Sequence, residues 1–94
     1  MQPTKVDREA VRRDWAAQGF SCDVWVDPPD QIWHDLLHDV DGIVLLLEGE
    51  SLVEMPEKTV RMQPGDEIVI PAGVRHTVRN SGAGPARWLH GFRV

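Results

Sequence analysis

The stretch Pro64-Gly65-Asp66-Glu67-Ile68-Val69-Ile70-Pro71-Ala72-Gly73-Val74-Arg75-His76-Thr77-Val78-Arg79-Asn80 carries the reading of the fold. Pro64-Gly65-Asp66 has the composition of a tight turn, because Pro pre-sets its own φ and Gly can take a positive one. Glu67 to Ile70 then reads as a short strand, and Pro71-Ala72-Gly73 as another turn. Beyond it Val74, His76 and Val78 alternate with Arg75, Thr77 and Arg79. That period of two is what a half-buried strand requires.

The same rhythm extends in both directions. Upstream, Phe20, Cys22, Val24 and Val26 alternate with Ser21, Asp23, Trp25 and Asp27 until Asp27-Pro28-Pro29-Asp30 breaks the strand. Ile32, His34, Leu36 and His38 then share one expected inward face, with Trp33, Asp35 and Leu37 on the other. Ile43 to Glu48 reads as a buried strand, and Leu52–Met55 with Thr59–Met62 as a hairpin across Pro56-Glu57-Lys58. After the loop Asn80-Ser81-Gly82-Ala83-Gly84-Pro85, Arg87 to Arg93 forms a last strand. About eight short strands punctuated by Gly and Pro make an all-β sandwich or barrel. The 8 Gly and 7 Pro are expected between strands rather than within them.

Only the beginning of the chain departs from this period. Val11 and Trp15 lie four apart, Asp7 is a suitable N-cap, Val6 can staple onto Val11, and Gly19 is a suitable stop. A short helix from 7 to 18 is expected, within an N-terminal extension of residues 1–19 ahead of a barrel of residues 20–94.

Composition bounds the function. The chain has 94 residues, enough for one domain, and 10 Lys+Arg against 15 Asp+Glu give a net charge of −5. That balance argues against nucleic acid and against an anionic membrane surface as partners. The longest apolar run, Ile43 to Leu47, is far short of the ~20 residues that span a bilayer. The first twenty residues hold charges of both signs and no apolar leader, so a cytoplasmic location is expected. The single cysteine, Cys22, excludes an internal disulfide and reads as a small core residue. Arg75 and Arg79 are expected to face solvent.

Chemistry points to histidine. His34, His38 and His76 fall on expected inward faces, and His90 lies on the last strand. Imidazoles inside a small barrel can bind a divalent metal such as Zn, Fe, Mn or Ni. The stretch Gly65-x5-Pro71-x-Gly73-x2-His76-x3-Asn80 resembles the second motif of the cupin superfamily at every defined position. The preceding stretch is similar to the first cupin motif, with His38 as its second histidine and Gly49 as its closing glycine. The Trp25-x-Asp27-Pro28-Pro29 segment and the ending Trp88-Leu89-His90-Gly91-Phe92 resemble short single-domain cupins.

The resemblance implies a double-stranded β-helix barrel of jelly-roll type with a short N-terminal helix, and a homodimer. It also implies a metal held by three His and one Glu. Of those four positions His38 and His76 match, while the first His position holds Leu36 and the Glu position Gly42. His34, Asp41 or His90 are the candidates to complete the set. For His34 that needs a bulge, since four residues of straight strand separate it from His38 by about 13 Å. Two functions follow. One is a metal-dependent cupin acting on a small molecule through His38 and His76. The other is a metal-free barrel, a ligand binder or a structural dimer, with a cavity lined by Leu36, Leu45, His38 and His76. Trp25 and Trp33, opposite the apolar alternation, are expected in a self-association patch or under the Trp15 helix.

Overall fold

The computed structural model describes residues 6–94, so residues 1–5 of the expected N-terminal extension lie outside the described residues. Helix α1, Arg8–Ala17, starts where the Asp7 side chain accepts a hydrogen bond from the Ala10 amide. It stops at Gly19, whose φ of +88° is a left-handed conformation that glycine adopts without strain. Eight strands follow: β1 (Asp23–Asp27), β2 (Ile32–Leu36), β3 (Gly42–Glu48), β4 (Ser51–Glu54), β5 (Thr59–Met62), β6 (Glu67–Ile70), β7 (His76–Asn80) and β8 (Ala86–Phe92). They form two four-stranded sheets, in the orders β1-β8-β3-β6 and β2-β7-β4-β5, with every pairing antiparallel. No helix among the described residues is long and apolar enough to cross a membrane.

Two apolar layers hold this arrangement together. Between the sheets, Val44, Leu46, Val53, Met62, Ile70, Ala86 and Trp88 form the barrel core. On the outer face of the first sheet, Trp15 packs with Phe20, Ile43, Leu45 and Leu89. Strand β3 therefore contributes alternate residues to both layers, which is why it reads as a continuous apolar run rather than an alternation. Trp15 is fully buried, and its indole N–H donates to Glu67 Oε1 at 2.8 Å. The helix is thus tied to β6 as well as packed on β3 and β8. Cys22 packs at the edge of this outer layer, and burial pushes its thiol pKa up.

Three facing expectations are corrected. Phe20 and Cys22 do share a face, as their alternation implies, but it is the outer face beneath the helix. Val24 and Val26 continue that face past the reach of α1 and are exposed, while Asp27 is buried. Leu45 belongs to the helix-covered layer, and its neighbour Val44 points into the barrel. In β2 the alternation breaks between Trp33, opposite Val78, and Leu36, opposite His76. Three steps on β2 match two on β7, so one residue is bulged. Asp35 sits there at φ +52°, a region that Asp tolerates better than most residues. The bulge turns Trp33 and Leu36 to one side and leaves His34 exposed.

Glycine also enters strands, contrary to the expected segregation. Gly91 lies within β8, and a Cβ there would overlap the Ser21 carbonyl oxygen and press on the Trp15 ring at 3.2 Å. Gly91→Ala is expected to destabilise the protein by about 2–4 kcal/mol, the range for overpacking against backbone. Gly84→Ala, where a Cβ meets nothing within 4 Å, is expected to stay within about 0.5 kcal/mol of the parent. Urea titration of the three proteins compares them.

Candidate functional site

One end of the barrel opens into a cavity of about 190 Å³. Its floor is aliphatic, from Leu36, Val44, Val53 and Val78. Its walls are aromatic, from Trp25 on β1, Trp33 on β2, and Trp88 and Phe92 on β8. Its polar groups come from Asp27, His38 and His90. The register explains the gathering: Trp25 lies directly opposite Trp88, His90 opposite Val44, and Phe92 opposite Gly42, all on the inner face of one sheet.

Asp27 organises one side of the mouth. The residue is 1% exposed, and its Oδ1 accepts the Trp25 indole N–H at 2.6 Å and the Trp33 indole N–H at 2.9 Å. Trp25 and Trp33 belong to different sheets, so a single carboxylate oxygen clamps the two sheets together where the barrel opens. The two rings meet edge to face with centroids 5.6 Å apart, and they stay 47% and 36% exposed. They line the cavity mouth, and neither is covered by the Trp15 helix. Trp88 is 3% exposed and its indole N–H meets no acceptor among the described residues, so it serves the wall with its ring.

The histidines occupy the other side. His38 and His76 have ring centroids 5.5 Å apart. His76 is buried, and its Nδ1 lies 3.0 Å from the Val74 carbonyl oxygen, so Nδ1–H donates and Nε2 remains free. His90, whose facing the sequence left open, points into the cavity. Phe92 packs edge to face on both His38 and His90, at 4.8 and 4.6 Å. Burial lowers the His90 pKa, and His38 and then His76 lower it further, against the opposing pull of Asp23 and Asp27.

These positions test the metal implied by the sequence resemblance. Two of the four usual ligand positions hold Leu36 and Gly42. A Cβ at Gly42 would meet the Phe92 ring at 3.8 Å, an ordinary contact, so the position has room for a side chain but the glycine supplies none. His34 is on the exposed side of the β2 bulge. Asp41 is engaged elsewhere: it accepts from the Ala72 amide at 2.8 Å and from Arg93 Nε at 3.3 Å, contacts that hold its pKa down. No group of three or more His, Cys, Asp or Glu with metal-holding geometry occurs among the described residues. Tightly held catalytic metals have three protein ligands. The residues present do not fit a resident metal.

Residues 24–92 match the family described as Cupin domain. The chain belongs to the cupin family. This cupin is similar to the TT1209 protein of Thermus thermophilus, with 32% identity and a TM-score of 0.71, covering 79% of this chain and 71% of that one. It also resembles a Cupin 2 conserved barrel domain protein from Salinispora arenicola CNS-205, with 18% identity, a TM-score of 0.71, and coverage of 81% and 64%. That second likeness concerns the fold alone. An acireductone dioxygenase of Tuber melanosporum (strain Mel28) is 30% identical over 59 residues, which is 57% of this chain. The chain spans about a third of that dioxygenase's length (34%).

The sequence singled out His38, His76 and His90, and the fold brings these three to one region. It missed the aromatic wall and Asp27. A signal was available, since Trp25 and Asp27 are two apart on a strand and must share a face.

The lowered His90 pKa has a measurable consequence. The unfolded chain binds the proton more readily than the native one, so stability rises with pH. It is expected to fall as pH drops through the ordinary histidine pKa near 6.5 and to level off below the depressed native value. His90→Gln is expected to flatten that slope between about pH 7 and 5 in thermal unfolding. An unchanged slope would assign it to other groups.

Proposed function

We propose that this cupin binds a small, largely apolar molecule in the open end of its barrel, without a resident metal. The observation that carries this reading is the cavity itself, of about 190 Å³ with an aliphatic floor and aromatic walls. An apolar cavity of roughly 150 Å³ accommodates benzene, so the space suits one ring or a group of similar bulk. A mostly apolar pocket with a few convergent polar groups is the usual form of a small-molecule site. His38, His76 and His90 supply imidazoles at one side, able to hydrogen-bond a bound molecule. A dioxygenase is among its relatives, but Leu36 and Gly42 supply no ligating side chain, and His38, His76 and His90 do not form a metal-holding group among the described residues.

Two measurements test this. Protein purified without a histidine tag is expected to contain well below one equivalent of any transition metal, and Leu36→His combined with Gly42→Glu is expected to raise its zinc content. Stoichiometric metal that disappears in both His38→Ala and His76→Ala would overturn the metal-free reading. Separately, benzyl alcohol is expected to perturb the tryptophan fluorescence saturably. Val78→Phe, which fills the cavity, is expected to weaken that binding at least tenfold.

A further inference from the structure

The polar side of the cavity is not electrically neutral. Asp27 contributes a carboxylate, and the wall contains no Lys or Arg. None of the ion pairs among the described residues involves Asp27; they join Arg79 to Glu54, Arg87 to Glu48 and Arg93 to Asp41. Burying a carboxylate without a counter-charge is costly, and buried charges are ordinarily paired. The other titratable groups on the wall are His38 and His90, and burial of His90 disfavours its cationic form. What Asp27 does have is two indole N–H donors, both directed to Oδ1. Those bonds hold the indoles of Trp25 and Trp33 by their N–H edges beside a negative charge.

Aromatic faces attract cations through the ring quadrupole, most strongly for Trp. Here Trp25 and Trp33 meet at 61° beside the carboxylate, and Trp88 stands opposite Trp25 in register. A small, strongly hydrated ion such as ammonium or potassium would lose its water to an apolar wall with little to replace it. A methylated ammonium carries its charge on a weakly hydrated apolar surface and suits both features. An anion would meet the Asp27 charge with no cation to offset it.

Building on the small-molecule reading above, we propose that the cavity recognises a free organic cation of methylated-ammonium type, held by Trp25, Trp33 and Trp88 and countered by Asp27. Asp27 has two roles in this arrangement. Its Oδ1 positions the two indoles, and its charge selects the ligand. The two can be separated, because an asparagine oxygen at the same place can still accept both N–H groups while the charge is gone.

The test compares choline with its uncharged isostere 3,3-dimethylbutan-1-ol, by calorimetric titration and by the NMR signals of the indole N–H groups. Choline is expected to bind the parent protein at least tenfold more tightly than the alcohol, and to shift the Trp25 and Trp33 signals. Asp27→Asn is expected to bring the two affinities within about threefold while keeping alcohol binding and both indole signals. Trp33→Leu is expected to weaken choline several-fold more than the alcohol. Choline binding no tighter than the alcohol in the parent protein would overturn the cation assignment, and that comparison needs no variant. If benzyl alcohol and the isostere still bind, the small-molecule reading survives that failure. If no probe of any charge binds, both fall.

Discussion

Both faces of β3 are buried, and the rest of the molecule is arranged around that constraint. A strand buried on one face needs one covering layer; Ile43-Val44-Leu45-Leu46 needs two. The second sheet covers Val44 and Leu46, and Trp15 on α1 covers Ile43 and Leu45. The helix is therefore a required third layer. Its fit depends on Gly91, because a side chain there would displace both Ser21 and Trp15. Burial of the outer layer leaves the inner face of the same sheet free to form a cavity wall.

That wall is shaped by one carboxylate and one bulge. Asp27 links a tryptophan of each sheet, and the bulge at Asp35 brings Trp33 to the side where Asp27 can reach it. A single inserted residue thus removes His34 from the interior and supplies an indole in its place. Across the mouth, Phe92 faces Gly42 and leans on His38 and His90. Burial at this side disfavours the cationic form of His90, and Gly42 leaves the Phe92 ring without an acidic neighbour there. The two sides share one trend: indole, phenyl and imidazole rings surround a single carboxylate.

Much of the architecture was legible in the chain. The helix boundaries, the number of strands and the hairpin Leu52–Met62 follow from periodicity and turn composition, because those signals act over a few residues. The facing of β1 was not legible. Its alternation groups Phe20, Cys22, Val24 and Val26 correctly, but which side of a sheet an apolar row covers depends on what packs there. The covering element, α1, lies outside that strand. The β2 bulge was hidden for a related reason. Asp35 in the middle of an alternating run is a weak local signal, and the register with β7 decides where the extra residue goes.

The sequence alone determined the barrel, the cupin resemblance and the weakness of its metal motif, since each rests on residue identities at fixed spacings. Neither Leu36 nor Gly42 has a side chain that can ligate a metal in any fold. Only the tertiary structure decided what lines the cavity. It turned His34 outward and His90 inward, and it placed Trp25, Trp33 and Asp27 around one opening. These are contacts between strands distant in the chain. Their geometry is set by sheet register and by which face is covered, and no local pattern encodes either.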